Sequence, residues 1–473
     1  MRLLFLAGCA PVRWLQPDGG AGNSLRMEEK GKMEERYQND VAVEVPRVLL
    51  PKKGTNYYKW AVVACDQFTS QPEYWEEAKR IAGKAPSTLE LILPEAYLEK
   101  PGEEERIAGI KTHMHEYLDK GVLEEMPQGF VLVTRTVGGS TRTGLMMALD
   151  LEAYDYAKGS ETLIRASEGT IVSRIPPRMR IREGAPIELP HILVLIDDPD
   201  RTVIEPLALK KSELKKLYDT DLMQEGGHIT GHLVSGEDDI FGVLNALGRL
   251  KDAARFREKY GEHAPLLFAM GDGNHSFATA KACWEKIKAG IPESEWADHP
   301  ARYALVEVEN VHDEGIVFEP IHRVVFGASG NRAIETLLRH LKAQNGCARV
   351  ELGRMPCAQG GDEHIIPFIT GEVEGAFVVT CPKTQLAVGT LQAAIDELLK
   401  EIAGTEVDYI HGADVVKELS KKGGAIGFLL PAMRKSEFFP TVIYDGALPR
   451  KTFSMGEANE KRYYMECRRI EKE

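Results

Sequence analysis

The sequence predicts an α+β fold, a mixed α/β arrangement with no regular βαβ repeat. Three observations carry this. Apolar runs of strand length are bounded by glycine, proline or polar turns. Amphipathic helices fall between them at irregular intervals. Some strands follow one another directly, with only a turn between them. Hydrophobic residues make up 43% of the 473 and charged residues 28%, an ordinary globular balance. A chain of this length has room for roughly two or three domains.

Residues 1–36 carry no structural period and read as an extension, either disordered or arising from a start codon assigned too early. Met27 or Met33 would be the alternative start, since patterned sequence begins near Tyr37. The Leu-Ala-Gly-Cys run ending at Cys9 resembles a lipoprotein cleavage box. The few residues before Cys9 leave too little room for a charged start plus an apolar stretch of about 7–15 residues.

Residues 37–327 read as the core. "KWAVVACDQFTS" predicts a buried strand from Trp60 to Ala64 that runs into a polar loop. Pro72 then opens a helix that stops at Gly83. A second helix, "PGEEERIAGIKTHMHEYLDKG", spaces Ile107, Ile110, Met114 and Leu118 along one face and puts acids in its first turn. "GFVLVTRTV" and "TGLMMALDLEAYD" predict a strand pair across a Gly-rich turn. "HILVLIDDP" predicts another buried strand, and "EDDIFGVLNALGRLKDAARFREKYG" one long amphipathic helix. Strands follow near 302–309 and 315–326. Residues 328–473 read as a C-terminal α/β region, with helices near 331–343 and 391–403 and strands around 375–380 and 424–430.

The formal net charge of -13 argues against a protein that wraps nucleic acid, which needs a basic face for the phosphates. The seven cysteines, at 9, 65, 283, 347, 357, 381 and 467, form neither a zinc spacing nor a dense disulfide framework. With no run of about 20 apolar residues, the expectation is a cytoplasmic protein without a membrane span. A homo-oligomer is compatible with the sequence.

The informative junction is "LLFAMGDGNHSFATAKACWEKIKAG", residues 266–290. Leu266 to Met270 is a short apolar strand. The helix that follows puts Phe277, Ala280, Trp284 and Ile287 on one face and stops at Gly290 and Pro292. A helix N-terminus has unpaired amides and a partial positive charge, so it attracts anions. Gly271 and Gly273 would let the backbone approach a phosphate. Asn274 or Ser276 could cap the helix. Asp272 could hold magnesium, and His275 could donate to a phosphoryl oxygen or move a proton. A plain capped turn is the competing reading. A dinucleotide fingerprint is excluded, because the next strand-borne acids, Glu307 and Glu309, lie too far along; no Gly-Lys-Ser/Thr of a Walker A loop occurs.

"GDGNHSFATA" resembles the Asp-Gly-His-His-Arg signature of the ParB/sulfiredoxin-like superfamily. The longer match is to the domain-of-unknown-function family 1015, whose site usually reads Asp-Gly-His-His-Arg-Tyr-x-Thr-Ala. Asp272, Gly273, His275, Thr279 and Ala280 match it; Asn274 and Ser276 stand where His and Arg are common. Loss of that arginine removes a bidentate phosphate donor. "VACDQFTS" resembles the family's Tyr-Asp segment and places Asp66 in register. "LIRASEGTI" resembles its Arg-His-Glu-x-Thr segment, here Arg165, Glu168 and Thr170. "PIHRVVF", with His322 and Arg323, and "DYIHGAD", with His411, resemble two further segments. The resemblance implies a ParB/sulfiredoxin-like nucleotide-binding core with a C-terminal α/β extension.

Other polar groups are weighed individually. Arg174, Arg178, Arg180 and Arg182 could receive a phosphate, although a solvated loop is the plainer reading for Arg178 and Arg180. Glu168 is a candidate general base toward a hydroxyl. His322 and Arg323 could bind an anion, against a core-satisfied histidine, and His411 could line the pocket or cap a helix. His113 and His115 are two apart on a helix and do not face one another, so no zinc site is expected there. Cys65 follows an apolar run and reads as an inert buried thiol.

The superfamily includes free-serine kinases. The resemblance therefore implies a phosphotransferase that moves a phosphoryl group between ATP or ADP and a small metabolite hydroxyl, with Mg2+. Serine/phosphoserine is the leading pair, in either direction. On this reading Asp272, His275, Glu168 and Asp66 are catalytic. Gly271, Gly273, Asn274, Ser276, Arg165 and Thr170 hold the nucleotide phosphates. His322, Arg323 and His411 hold substrate, and Asp272 holds the metal. The alternatives are a ParB-like nucleotide switch and a nucleotide-independent phosphatase.

Overall fold

The computed structural model describes residues 40–353, 363–421 and 423–472. The expectations for the 1–36 extension, with Cys9, Met27 and Met33, and for Cys357, lie outside the described residues.

The architecture is mixed α/β, as the pattern of elements predicts. A ten-stranded sheet organises the first part. Its strand order is Lys215–Asp221, His228–Val234, Phe130–Val137, Ser140–Asp150, Tyr303–Asn310, Leu193–Ile196, Phe268–Asp272, Ile164–Arg165 and Tyr154–Asp155, with Val43–Glu44 added beside Ser140–Asp150. The Tyr303–Asn310 strand pairs antiparallel with Ser140–Asp150 and parallel with Leu193–Ile196. All eight of its residues are buried, which requires both faces of the sheet to be covered.

Alternation along the strands divides the sheet into two cores. Phe130, Leu132, Leu145 and Met147 pack on the face that receives Phe277 and Trp284. Val131, Val133, Met146 and Leu305 pack on the other, against Trp60, Trp75, Tyr463 and Tyr464. Leu193, Leu195 and Ala269 extend the second face into a third core, shared with a seven-stranded sheet. That second sheet is antiparallel throughout and begins with the Phe318–Phe326 strand. The Gly330–Asn345 and Ala387–Glu401 helices bury their apolar faces in the same third core.

The chain then returns to the first sheet. The amide of Leu448 donates to the Ser167 carbonyl (2.7 Å) and that of Ala64 to the Arg462 carbonyl (2.8 Å), while Leu49 and Cys467 exchange both backbone bonds (2.7 and 2.9 Å). Arg468 pairs with Glu188 at 2.7 Å. Arg462 runs into the interior, where it meets Glu307 at 3.0 Å and also Glu466, which accepts from Tyr218. A buried charge left without a partner would cost several kcal/mol, roughly 3–5, so this set favours a single position for the returning segment.

Three local expectations are corrected. Trp60 to Ala64 is not a strand: Tyr57–Trp60 is a helical turn capped by Asn56, and only Val63 forms a bridge, to Tyr463. The 237–261 stretch breaks into Glu237–Leu250 and Ala253–Tyr260, because Asp252 accepts the Arg255 amide (3.0 Å) and starts a new helix. The arginine-rich run is not a loop either. Ile175–Arg182 is a helix with proline in its first turn, and Arg178, Arg180 and Arg182 pair with Glu95, Glu103 and Glu188. Among the described residues Cys65, Cys283, Cys347, Cys381 and Cys467 are free thiols, and no helix is long and apolar enough to cross a membrane.

Tyr463 is fully buried, donates to the Met223 carbonyl (3.0 Å) and carries the Arg135 guanidinium over its ring. Tyr463→Ala is expected to lower the unfolding free energy by about 3–5 kcal/mol, the usual range for a buried aromatic, read as a reduced urea midpoint. An unchanged midpoint would show that the returning segment contributes nothing to stability.

Candidate functional site

The strand Phe268–Asp272 ends in a register shift opposite Leu193, so the chain turns sharply at Gly271 and Gly273. Gly273 has φ +81° and forms the N-cap of the Asn274–Lys288 helix. A Cβ there would stand 3.1 Å from the Ile192 Cα, so both the conformation and the space call for glycine. The first intrahelical bond runs from the Phe277 amide to the Gly273 carbonyl. The amides of Asn274, His275 and Ser276 therefore belong to the unpaired first turn.

Neither Asn274 nor Ser276 caps this helix, contrary to expectation. Asn274 accepts from the Ser167 amide (3.1 Å) and donates to its hydroxyl (3.3 Å), which fastens the segment before Glu168 to the helix start. The Ser276 hydroxyl shares a hydrogen bond with His191 Nε2 (2.8 Å), and His191 Nδ1 shares one with the Tyr464 hydroxyl (2.7 Å).

The turn lies open at the floor of a cavity of about 840 Å³. Gly271, Asp272, Gly273, Asn274, His275, Ser276, Asp66, Glu168 and His411 all line it, although they come from four separate stretches of sequence. Four expected residues are not among its walls. Arg165 donates to the carbonyls of Thr162, Ala264 and Pro265 and clamps the approach to the Phe268–Asp272 strand. Thr170 sits against the buried Tyr154 hydroxyl. His322 accepts the Leu430 amide at 3.1 Å. Arg323 is fully buried and donates to the Ile321 and Arg450 carbonyls and to Gln392. Arg165, His322 and Arg323 are thus consumed largely by backbone that would otherwise lack partners.

The sequence reading missed several wall residues: Glu95, Lys451 and Lys461 in the cleft, with His191 and Tyr464 beneath Ser276. Lys461 Nζ stands 3.1 Å from Asp272 Oδ2 and donates to the Ser454 hydroxyl at 3.2 Å. Oδ1 of Asp272 accepts its neighbour's Gly273 amide at 2.8 Å. Burial alone would raise the Asp272 pKa, but Lys461 and that amide hold it below the ordinary carboxylate value.

Two other acids are shifted the opposite way from Asp272. Glu168 is pushed up to about 7, first by burial and then by the Asp272 charge, against the pull of Lys451 and Arg323. Glu95 is also raised by burial, despite its pairing with Arg178. His275 is pushed down to about 4 by burial and by Arg178 and Arg174, and its Nε2 accepts the Ile171 amide at 3.2 Å. At neutral pH it is an uncharged imidazole whose other nitrogen carries the proton. Burial raises the Cys65 thiol, which fits an inert thiol.

Magnesium on Asp272 does not fit this arrangement, because the Lys461 ammonium already occupies the place beside Oδ2. Among the described residues no group of three or more His, Cys, Asp or Glu converges as a metal site.

Glu168 gives a pH test. Its ordinary pKa is 4.5 and its folded value about 7. Between these values the folded state holds more protons than the unfolded one, so its contribution to stability falls as pH rises through that window and is constant above it. Glu168→Gln removes this loss. The variant should gain urea midpoint relative to the parent between pH 5 and pH 8, a comparison in which Glu309, also raised to about 7, cancels. Parallel midpoints at both pH values would place Glu168 at its ordinary pKa.

A family model described as "Protein of unknown function (DUF1015)" matches residues 49–404. No curated protein matches the chain. Among solved structures, a conserved hypothetical protein from Pyrococcus furiosus aligns with TM-score 0.33 and 13% identity over 69% of this chain and 95% of its own. A free serine kinase in complex with AMP aligns with TM-score 0.34 and 13% identity over 69% of this chain and 91% of its own. SbnI with C-terminal truncation, from Staphylococcus aureus, aligns with TM-score 0.32 and 12% identity over 65% of this chain and 81% of its own. With most of its length matched by the family model, the chain belongs to the DUF1015 family.

Proposed function

We propose that this protein is a phosphotransferase that moves a phosphoryl group between a nucleotide and the hydroxyl of a small metabolite. One observation carries the reading. An open helix N-terminus and a carboxylate with a pKa of about 7 face the same cavity, with cationic side chains around them.

Phosphoryl transfer is chiefly positioning and charge neutralisation. The first-turn amides at Asn274, His275 and Ser276 are suited to hold phosphoryl oxygens. Arg174 and Lys451 line the same cavity and, among the described residues, form no salt bridge that would occupy their charge. Lys461 and Asp272 fix the turn. Ionised Glu168 would take the proton from the acceptor hydroxyl as its oxygen bonds to phosphorus. The bond from phosphorus to the nucleotide then breaks, and the nucleoside diphosphate leaves with that electron pair. Neutral His275 can donate its remaining N–H to a phosphoryl oxygen without adding charge. Asp66 faces the same space and could orient the acceptor.

Serine with ATP, or phosphoserine with ADP, is the pair to assay first, each with magnesium as the nucleotide's counterion. Phosphate exchange in either direction supports the reading. Nucleotide hydrolysis that ignores the metabolite favours the switch, and phosphate release without ADP favours the phosphatase. Glu168→Gln is expected to lower kcat by about 10²–10⁴-fold, the usual worth of a general base. It should also abolish the limb of the pH profile that rises through about 7. A variant with full kcat and an unchanged limb would remove Glu168 from the mechanism. Asp272→Asn, which keeps the shape but loses the charge facing Lys461, is expected to abolish turnover while circular dichroism stays that of the parent.

A further inference from the structure

Behind Ser276 a second cavity opens, with a volume of about 140 Å³. Glu95, Leu98, Arg178 and Ser276 line both spaces, so it adjoins the polar cleft. The inside differs sharply from the cleft. Most of its lining residues are apolar, among them Leu91, Leu93, Met114, Ile187, Ile192 and Leu305, and all six are at least nine-tenths buried. Its polar lining groups are partnered within the protein. Arg178 pairs with Glu95 and Arg182 with Glu188, Thr279 donates to the His275 carbonyl, and Ser276, His191 and Tyr464 form a chain of hydrogen bonds. The interior therefore offers a ligand little but apolar contact.

Resting on the phosphotransferase reading above, we propose that the hydroxyl-bearing substrate carries an apolar group of about six carbons, and that this annex receives it. The size supports this. A cavity of roughly 150 Å³ lined by Leu, Ile and Phe stays dry and accepts benzene. Native cores are otherwise packed with few voids larger than a water molecule, so an apolar space of this volume beside a reactive cleft is built to be filled. Serine has a single side-chain carbon and would leave the annex empty. Its hydroxyl would also be held by the cleft alone, without the anchor that a buried tail supplies. In an apolar pocket one methylene is worth about 10–200-fold in discrimination, so even an imperfect six-carbon group outweighs a bare hydroxymethyl.

The test uses the full chain, with serine and 3-phenylserine as probes, each titrated calorimetrically with and without ADP. In the parent, 3-phenylserine is expected to bind at least about 100-fold more tightly than serine. Ala185 forms part of the annex wall. Ala185→Leu fills the space and is expected to remove the preference. Leu93→Ala enlarges it and is expected to keep the phenyl probe bound, so a folding defect in one variant does not decide the question. Equal affinities for the two amino acids, with ADP bound normally, overturn this proposal and leave phosphoryl transfer standing. A phenyl preference that Ala185→Leu abolishes, in a protein that ignores ADP, supports the annex and overturns the nucleotide reading. Failure of every probe overturns both.

Discussion

Lys461 lies nine-tenths buried, with its ammonium 3.1 Å from Asp272. The two residues come from distant parts of the chain, and their pairing joins three features of the molecule. It holds the carboxylate ionised at the end of the Phe268–Asp272 strand. It places Oδ1 to accept the Gly273 amide, which fixes the left-handed turn. It also anchors the returning C-terminal segment above the cavity. Breaking one partner would leave the other as an uncompensated charge, so the pair specifies the geometry of the turn more than it adds to stability.

The same segment explains why so many charges are buried beside the site. Arg462 follows Lys461 directly and points into the sheet, where Glu307 and Glu466 receive it. Successive residues of an extended chain face opposite ways. One side chain therefore serves the cleft while its neighbour serves the interior. Arg135 and Arg142 donate to the carbonyls of Glu460 and, for Arg135, Lys461, which fixes the height at which the segment crosses the strands.

Much of the architecture was legible from local sequence. The strand, glycine turn and helix at 266–290 stand where apolar period and punctuation placed them, as do the helices after Pro72 and at Glu103–Asp119. Asp66, Glu168, Asp272, His275 and His411 were named from motifs and share one cavity. Arg165, His322 and Arg323 looked equally functional, because a sequence does not show whether a polar head meets a ligand or a backbone carbonyl. Glu95, His191, Lys451 and Lys461 had no motif around them. Their positions arise from tertiary convergence, and for Lys461 the only local hint was a cationic run inside an otherwise apolar-aromatic stretch, "KRYYMECRR". The Trp60–Ala64 error has the same origin: an apolar run can be buried by a neighbouring segment without joining a ladder.

A cleft whose fixed cation is borrowed from so far along the chain cannot persist as a local fragment. Any fluctuation that lifts the returning segment removes Lys461, uncovers the buried arginine and loosens the glycine turn together. Ligand protection against amide exchange should therefore spread through both sheets instead of clustering near the turn. Occupancy of the cleft and integrity of the whole molecule would then be read by one and the same measurement.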